Sequence, residues 1–276
     1  MILMIKESIK RIIYPLYPII KSQPDFLVIG VQRAATTSLY RYLIQHPQIV
    51  VTHKWRETYY FDNPENYSKG FGWYLGHFPS KLRKGNKLTF EDSPSYLYYE
   101  HIPQLIKQDL GNIKMIAILR NPVDRAYSAW QMYHSYANLP LKHLRDRADT
   151  RTFAEAIDQE FNPEANTANY PYNYIDRGKY IQQLENYYNY FDPNNILVLN
   201  FEQFCQDIGL SLASIGDFLN IEHFSQSMIQ QFQNQKYAAA QYERSADDQN
   251  VLARLQEYFV PFNEKLYQRL GTRYNW

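Results

Sequence analysis

The sequence predicts an α/β domain, and three observations carry that reading. The chain has 276 residues, enough for one large domain with its own core. A short apolar run, Phe26 to Ile29, is broken by Gly30 and passes through small residues into a segment with Leu39, Tyr42 and Leu43 at helical spacing. A second apolar run, Lys114 to Leu119, is near-continuous, as a central parallel strand buried on both faces must be.

The first of these units is the most informative. A strand, a tight loop and a helix start aim free backbone N–H groups and a helix dipole at one point, which suits an anion. The loop adds one cation, Arg33, two small residues, Ala34 and Ala35, and the hydroxyls of Thr36, Thr37 and Ser38. It reads as a phosphate or sulfate cradle. The ATP/GTP loop pattern G-x-x-x-x-G-K-[ST], laid on Gly30, puts Ala35 at the second glycine and Thr36 at the lysine. No cation stands where that lysine reaches the β- and γ-phosphates.

The helix after the cradle stops at His46-Pro47, where proline forbids continuation. Ile49 to Val51 reads as a short strand, followed by a loop dense in charge and aromatics, residues 53–62. Residues 63–86 read as a loop with one or two helical turns. Leu88 to Glu91 is strand-like, and Ile102 to Leu110 is a helix closed by Gly111. After the central strand, Asn121 suits a helix N-cap and Pro122 the first turn. At the end of that strand a nucleoside triphosphatase would place a magnesium-ordering Asp; this chain places Arg120. An arginine at a strand's carboxyl edge, with Ser128 two turns into the next helix, can clamp a phosphate dianion. Arg125 reads as a surface charge or a structural ion pair.

Residues 135–174 read as an irregular insertion that shapes a second ligand's site, with one short helix over 153–161. A helix starting at Arg177 carries Tyr180, Leu184, Tyr187 and Phe191 on one face. Asp192 to Asn195 forms a turn, Ile196 to Glu202 a strand, and Ser211 to Leu219 a helix. The last helix packs through Leu252, Leu255, Phe259, Leu266 and Leu270.

Together these motifs resemble the PAPS-dependent sulfotransferases, of the carbohydrate or heparan type, over roughly residues 25–270. PAPS is 3′-phosphoadenosine 5′-phosphosulfate. The family's loop is G-x-x-K-x-G-T-T-x-L; Gly30, Thr36, Thr37 and Leu39 match, while Arg33 replaces Lys and Ala35 replaces Gly. Its second signature, R-[ND]-P-x-x-R-x-x-S, matches at each fixed position from Arg120 to Ser128. The resemblance implies a P-loop-like three-layer fold with a central, mostly parallel sheet flanked by helices. It implies that the loop holds the 5′-phosphosulfate, with Arg33 in a catalytic role, and that Arg120 and Ser128 hold the 3′-phosphate. A K-E-x-x-F-F-like stretch carries the family's catalytic base, here Glu57, with His53 as the second candidate. Lys236, in the loop before the last helix, is a candidate phosphate contact. Asp92, in a segment resembling E-K-[ST]-P-x-Y, stands where many members have Lys, which argues against a polyanionic acceptor. The activity implied is sulfuryl transfer to a hydroxyl of a carbohydrate, lipid-linked or other small acceptor, without a metal. The alternative is a catalytically altered nucleotide- or glycan-binding module of the same fold.

Composition bounds the rest. A net charge of +1 gives no signal for nucleic acid. Seven histidines form no HExxH or Cys/His cluster. The lone cysteine, Cys205, cannot form an internal disulfide; it reads as a helix-packing residue and is consistent with a reducing, cytoplasmic compartment. Residues 1–24 read as a helical extension of the domain 25–276. Met1 to Lys21 is apolar with interspersed Lys6, Lys10, Arg11 and Lys21, has no uncharged apolar run of about 18 residues, and does not resemble a cleavable leader. Packing on the domain is the favoured reading; contact with a membrane surface through residues 1–21 is the other.

Overall fold

The structure is a computed structural model that describes residues 13–52, 56–162, 172–234 and 245–276. Four parallel strands form the sheet, in the order β2-β1-β3-β4. They are β1 (Phe26–Gly30), β2 (Phe90–Asp92), β3 (Lys114–Leu119) and β4 (Ile196–Asn200). β1 sits between β2 and β3, with Phe26 opposite both Phe90 and Lys114. Every residue of β1 is buried, as is β3 from Met115 onward, so the apolar runs mark the two central strands.

Parallel neighbours require crossovers, and helices supply them. The ones that frame the site are α1 (Thr36–Leu43), α2 (Ile102–Leu110), α3 (Pro122–Ser135), α4 (Tyr180–Tyr188), α5 (Ile208–Leu219) and α6 (Ala246–Leu270). One core surrounds the sheet. A second lies under α3, where Tyr127, Trp130 and Tyr133 meet Phe153, Tyr172, Tyr174, Leu255 and Phe259. α6 runs unbroken through Pro261.

Several local expectations change. Ile49 to Val51 is not a strand; Ile49 makes an isolated parallel bridge to Leu88, and the adjoining strand begins only at Phe90. The strand predicted over 196–202 stops at Asn200, whose side chain accepts from the Gln203 N–H at 2.7 Å and caps a helix over Phe201–Gln206. On that helix Phe204 is the packing residue and Cys205 is exposed. Residues 63–86 hold three one-turn helices, Pro64–Tyr67, Phe71–Leu75 and Lys81–Lys84. Arg125 is not a surface charge, nor does it form an ion pair among the described residues: it is fully buried, with Nη2 donating to the Tyr174 carbonyl at 2.5 Å. Its guanidinium ties α3 to the segment before α4, and burial lowers its pKa. Glu160 fixes the same segment by accepting from the N–H groups of Tyr174 and Ile175 at 2.6 and 2.7 Å.

Candidate functional site

The site lies beyond the carboxyl ends of β1, β2 and β3, where parallel sheets place ligands. Gly30, the last residue of β1, has little room for a side chain: a Cβ there would stand 3.0 Å from the Leu97 Cβ. The loop then turns through Arg33 (φ 74°) and Ala35 (φ 59°), both left-handed, and α1 begins at Thr36. Left-handed backbone costs a non-glycine residue about 1–2 kcal/mol, so Ala35 occupies the loop's turn at an energetic cost. Replacing it relieves that strain and loses part of the gain to the more flexible unfolded chain. Ala35→Gly is therefore expected to raise stability by about 0.5–1 kcal/mol, seen as a small rise in Tm; an unchanged or lower Tm would show that the loop does not hold this conformation in solution.

The first N–H groups of α1 have no partner within the helix and face the site. Arg33 and Arg120 interlock beside them. The Arg33 Nε donates to the Ser128 Oγ at 3.1 Å, and the Arg120 Nη1 donates to the Arg33 carbonyl at 3.0 Å. The two signatures thus meet in one corner. Burial lowers the Arg120 pKa, and its Nε is a buried donor with no acceptor among the described residues. A half-buried guanidinium with a buried, unsatisfied Nε is the electrostatic setting that an incoming anion completes.

The features noticed downstream support this corner. The Tyr180 hydroxyl donates to the Arg120 carbonyl at 2.8 Å. Glu202 accepts from the Asn121 N–H at 3.0 Å and from the Trp276 indole at 2.8 Å. Gly178 is required for the fit, since a Cβ there would lie 2.7 Å from the Phe259 ring and 2.9 Å from Pro122. The Asn121 side chain caps α3 by accepting from the Val123 N–H at 2.9 Å.

A residue that sequence reading passed over completes the other side. Arg56 donates from Nε to Asp92 Oδ2 at 2.6 Å, from Nη1 to Thr37 Oγ1 at 2.6 Å, and from Nη2 to Thr36 Oγ1 at 3.2 Å. The cation beside the cradle's hydroxyls is therefore Arg56, while Arg33 reaches toward Ser128. The same Nη1 lies 3.7 Å from Glu57 Oε1, so Arg56 links the cradle to the candidate base. Glu57 also accepts from the Tyr59 hydroxyl. Asp92 is fully buried and paired with Arg56 at 2.6 Å, so it is not the free negative charge that the expectation drawn from it assumed.

Burial raises the Asp92 pKa to about 7, against the opposing pull of Arg56. A carboxyl held above its ordinary value contributes stability that is present at acid pH and lost as pH rises through the folded value. The wild type should therefore lose stability relative to Asp92→Asn between about pH 4 and about pH 7. Melting curves of both proteins across that range check this; parallel curves would mean that Asp92 is already ionised at the acid end.

Beside Asp92, Glu91 holds the 56–61 loop in place. It is buried and accepts from Thr58 Oγ1 at 2.5 Å, Tyr74 Oη at 2.7 Å, Ser93 Oγ at 2.8 Å and Tyr96 Oη at 2.7 Å. On the outer side, Tyr59 and Tyr136 both have phenol pKa values raised chiefly by burial; Glu57 raises both further and Arg147 opposes it. The 135–150 segment thus comes within electrostatic reach of Glu57. His53 and Lys236 lie outside the described residues.

The chain was compared with known proteins. The family model described as "Sulfotransferase domain" matches residues 23–259. The mouse heparan sulfate glucosamine 3-O-sulfotransferase 5 is 26% identical over 95% of this chain and 76% of its own length. The mouse bifunctional heparan sulfate N-deacetylase/N-sulfotransferase 4 is 30% identical over 77% of this chain and 24% of its own length. Among solved structures, a sulfotransferase from Alicyclobacillus acidocaldarius superposes with a TM-score of 0.70 at 23% identity, over 92% of this chain and 98% of that one. A Mycobacterium avium sulfotransferase superposes with a TM-score of 0.58 at 10% identity, over 91% and 78% of the two chains.

Proposed function

The chain belongs to the sulfotransferase domain family, and on that premise we propose that it moves a sulfuryl group from PAPS to a hydroxyl of a carbohydrate acceptor. One observation carries the reading: the anion cradle at the start of α1 and the Arg120–Ser128 corner are joined through Arg33, so two anionic groups of one nucleotide can be gripped together. The relatives' names support a carbohydrate acceptor: one specifies heparan sulfate glucosamine and a 3-O-sulfotransferase, the other heparan sulfate.

The residues divide the work as follows. Arg120 and Ser128 hold the 3′-phosphate, with Arg33 bracing the pair. The N–H groups from Ala34 to Ser38 and the Thr36 and Thr37 hydroxyls hold the 5′-phosphosulfate. Glu57 takes the acceptor's hydroxyl proton. The acceptor oxygen then bonds to sulfur as the bond from sulfur to the bridging oxygen breaks, leaving a sulfate monoester and adenosine 3′,5′-bisphosphate. Arg56 and the cradle stabilise the charge that gathers on the bridging oxygen, an effect on the order of 10²–10³ in rate for one well-placed donor. Asp92 sets the Arg56 guanidinium in place before the reaction, so no reorganisation is needed at that step.

The test is turnover. With PAPS and glucosamine-containing oligosaccharides, both sulfated and uncharged, bisphosphate release should match sulfated sugar formed mole for mole. Binding of PAPS with no sulfated product from either acceptor class would contradict the carbohydrate reading.

A further inference from the structure

We infer that residues 16–22 and 79–84 form a docking face for an anionic lipid bilayer. Eight large hydrophobic side chains are exposed among the described residues, and four of them, Leu16, Ile19, Ile20 and Leu82, belong to these two segments. Ile19 is 68% exposed and Leu82 95%. The segments adjoin. Lys21 bridges Ser80, the Ser22 N–H donates to the Pro79 carbonyl at 2.9 Å, and the Lys81 Nζ donates to the Pro18 carbonyl at 2.9 Å.

The face is held out from the domain by its own inner side. Tyr14 and Tyr17 pack against a helix whose glycines admit them: a Cβ on Gly72 would lie 2.2 Å from the Tyr14 carbonyl oxygen, and one on Gly76 would lie 3.0 Å from the Tyr17 ring. The aromatics face inward and the aliphatics face water. Exposed aliphatic clusters of this kind mark interaction surfaces.

Charge identifies the occupant. Lys81 and Arg83 are exposed on either side of Leu82; Lys21 is half-buried, its Nζ donating to the Phe78 carbonyl at 2.8 Å, and Lys84 is paired with Asp25 at 3.0 Å. Apolar side chains ringed by Lys and Arg suit the interface of a bilayer containing anionic lipid, where the aliphatics leave water and the cations meet headgroups. A second copy using the same face would set these cations against themselves. Residues 16–22 lead into the amino end of β1 and Lys84 pairs with Asp25 beside it, whereas the cradle follows the carboxyl end of β1, so the face and the donor site belong to opposite ends of that strand. The inference does not depend on the donor reading.

Flotation of the full chain with phosphatidylcholine vesicles, with and without phosphatidylglycerol, tests it. The wild type should float with phosphatidylglycerol vesicles and release at high salt. Ile19→Glu/Leu82→Glu should weaken binding at least about tenfold. Lys81→Gln/Arg83→Gln should weaken it about fivefold per cation. Both variants should keep the wild-type Tm and affinity for adenosine 3′,5′-bisphosphate. No flotation of the wild type would overturn the proposal, and so would binding that both variants retain in full. Self-association of the wild type that Ile19→Glu/Leu82→Glu abolishes, without vesicle binding, would assign the face to a second copy and overturn it as well.

Discussion

Glu57→Gln should lower kcat by about 10²–10⁴-fold, the range for loss of a general base, while the affinity for adenosine 3′,5′-bisphosphate stays at its wild-type value. The substitution keeps the side chain's size and a carbonyl that can still accept from the Tyr59 hydroxyl. It removes the carboxylate proposed to take the acceptor's proton. Arg56 keeps its bonds to Asp92, Thr36 and Thr37, because Glu57 contributes only a 3.7 Å ion pair to that network. The effect should therefore fall on kcat and not on donor binding, and steady-state kinetics alongside a binding titration separate the two. A variant with wild-type kcat would move the base to another residue, with His53 the candidate from sequence.

Arg120→Ala should weaken bisphosphate binding by about two to three orders of magnitude, since a charge-assisted hydrogen bond to an anion contributes roughly 1.5–3 kcal/mol and a guanidinium can make two. Two losses combine. The 3′-phosphate proposed to sit here loses a half-buried cation whose Nε has no acceptor among the described residues. The cradle loses a brace, because the Arg120 Nη1 no longer holds the Arg33 carbonyl at 3.0 Å. Arg120→Lys restores charge without the fork and should recover only part of the affinity. Titrations of the three proteins check the order wild type, Lys, Ala. Equal affinities would place the 3′-phosphate elsewhere.

What sequence could and could not supply follows from how each feature is encoded. The central strands were legible because burial on both faces leaves an unbroken apolar run, as in Met115 to Leu119. The cradle was legible because a strand, a turn and a helix start are contiguous, and the left-handed Ala35 falls where the resemblance had a glycine. The fold expected from the resemblance is the fold observed, a parallel sheet with flanking helices. Arg56 was not legible. Its partners Thr36, Thr37 and Asp92 come from two other segments, and only the pairing of β1 with β2 brings them together. Asp92 was misread for the same reason: its position in the motif was visible, its burial and its partner were not. Arg125 looked like a surface charge because helical spacing cannot show that Tyr174 and the last helix cover that face of α3. The Ile49 to Val51 segment has the composition of a strand, but it meets the sheet at a single bridge.

Both substitutions above address one site that accepts a nucleotide with a 3′-phosphate. Calorimetric titration of the folded chain with adenosine 3′,5′-bisphosphate, with ATP as the comparison, tests this most directly. The bisphosphate should bind saturably at one site, with ATP weaker and insensitive to magnesium. A folded chain that ignores the bisphosphate, or that prefers ATP with magnesium, would contradict it.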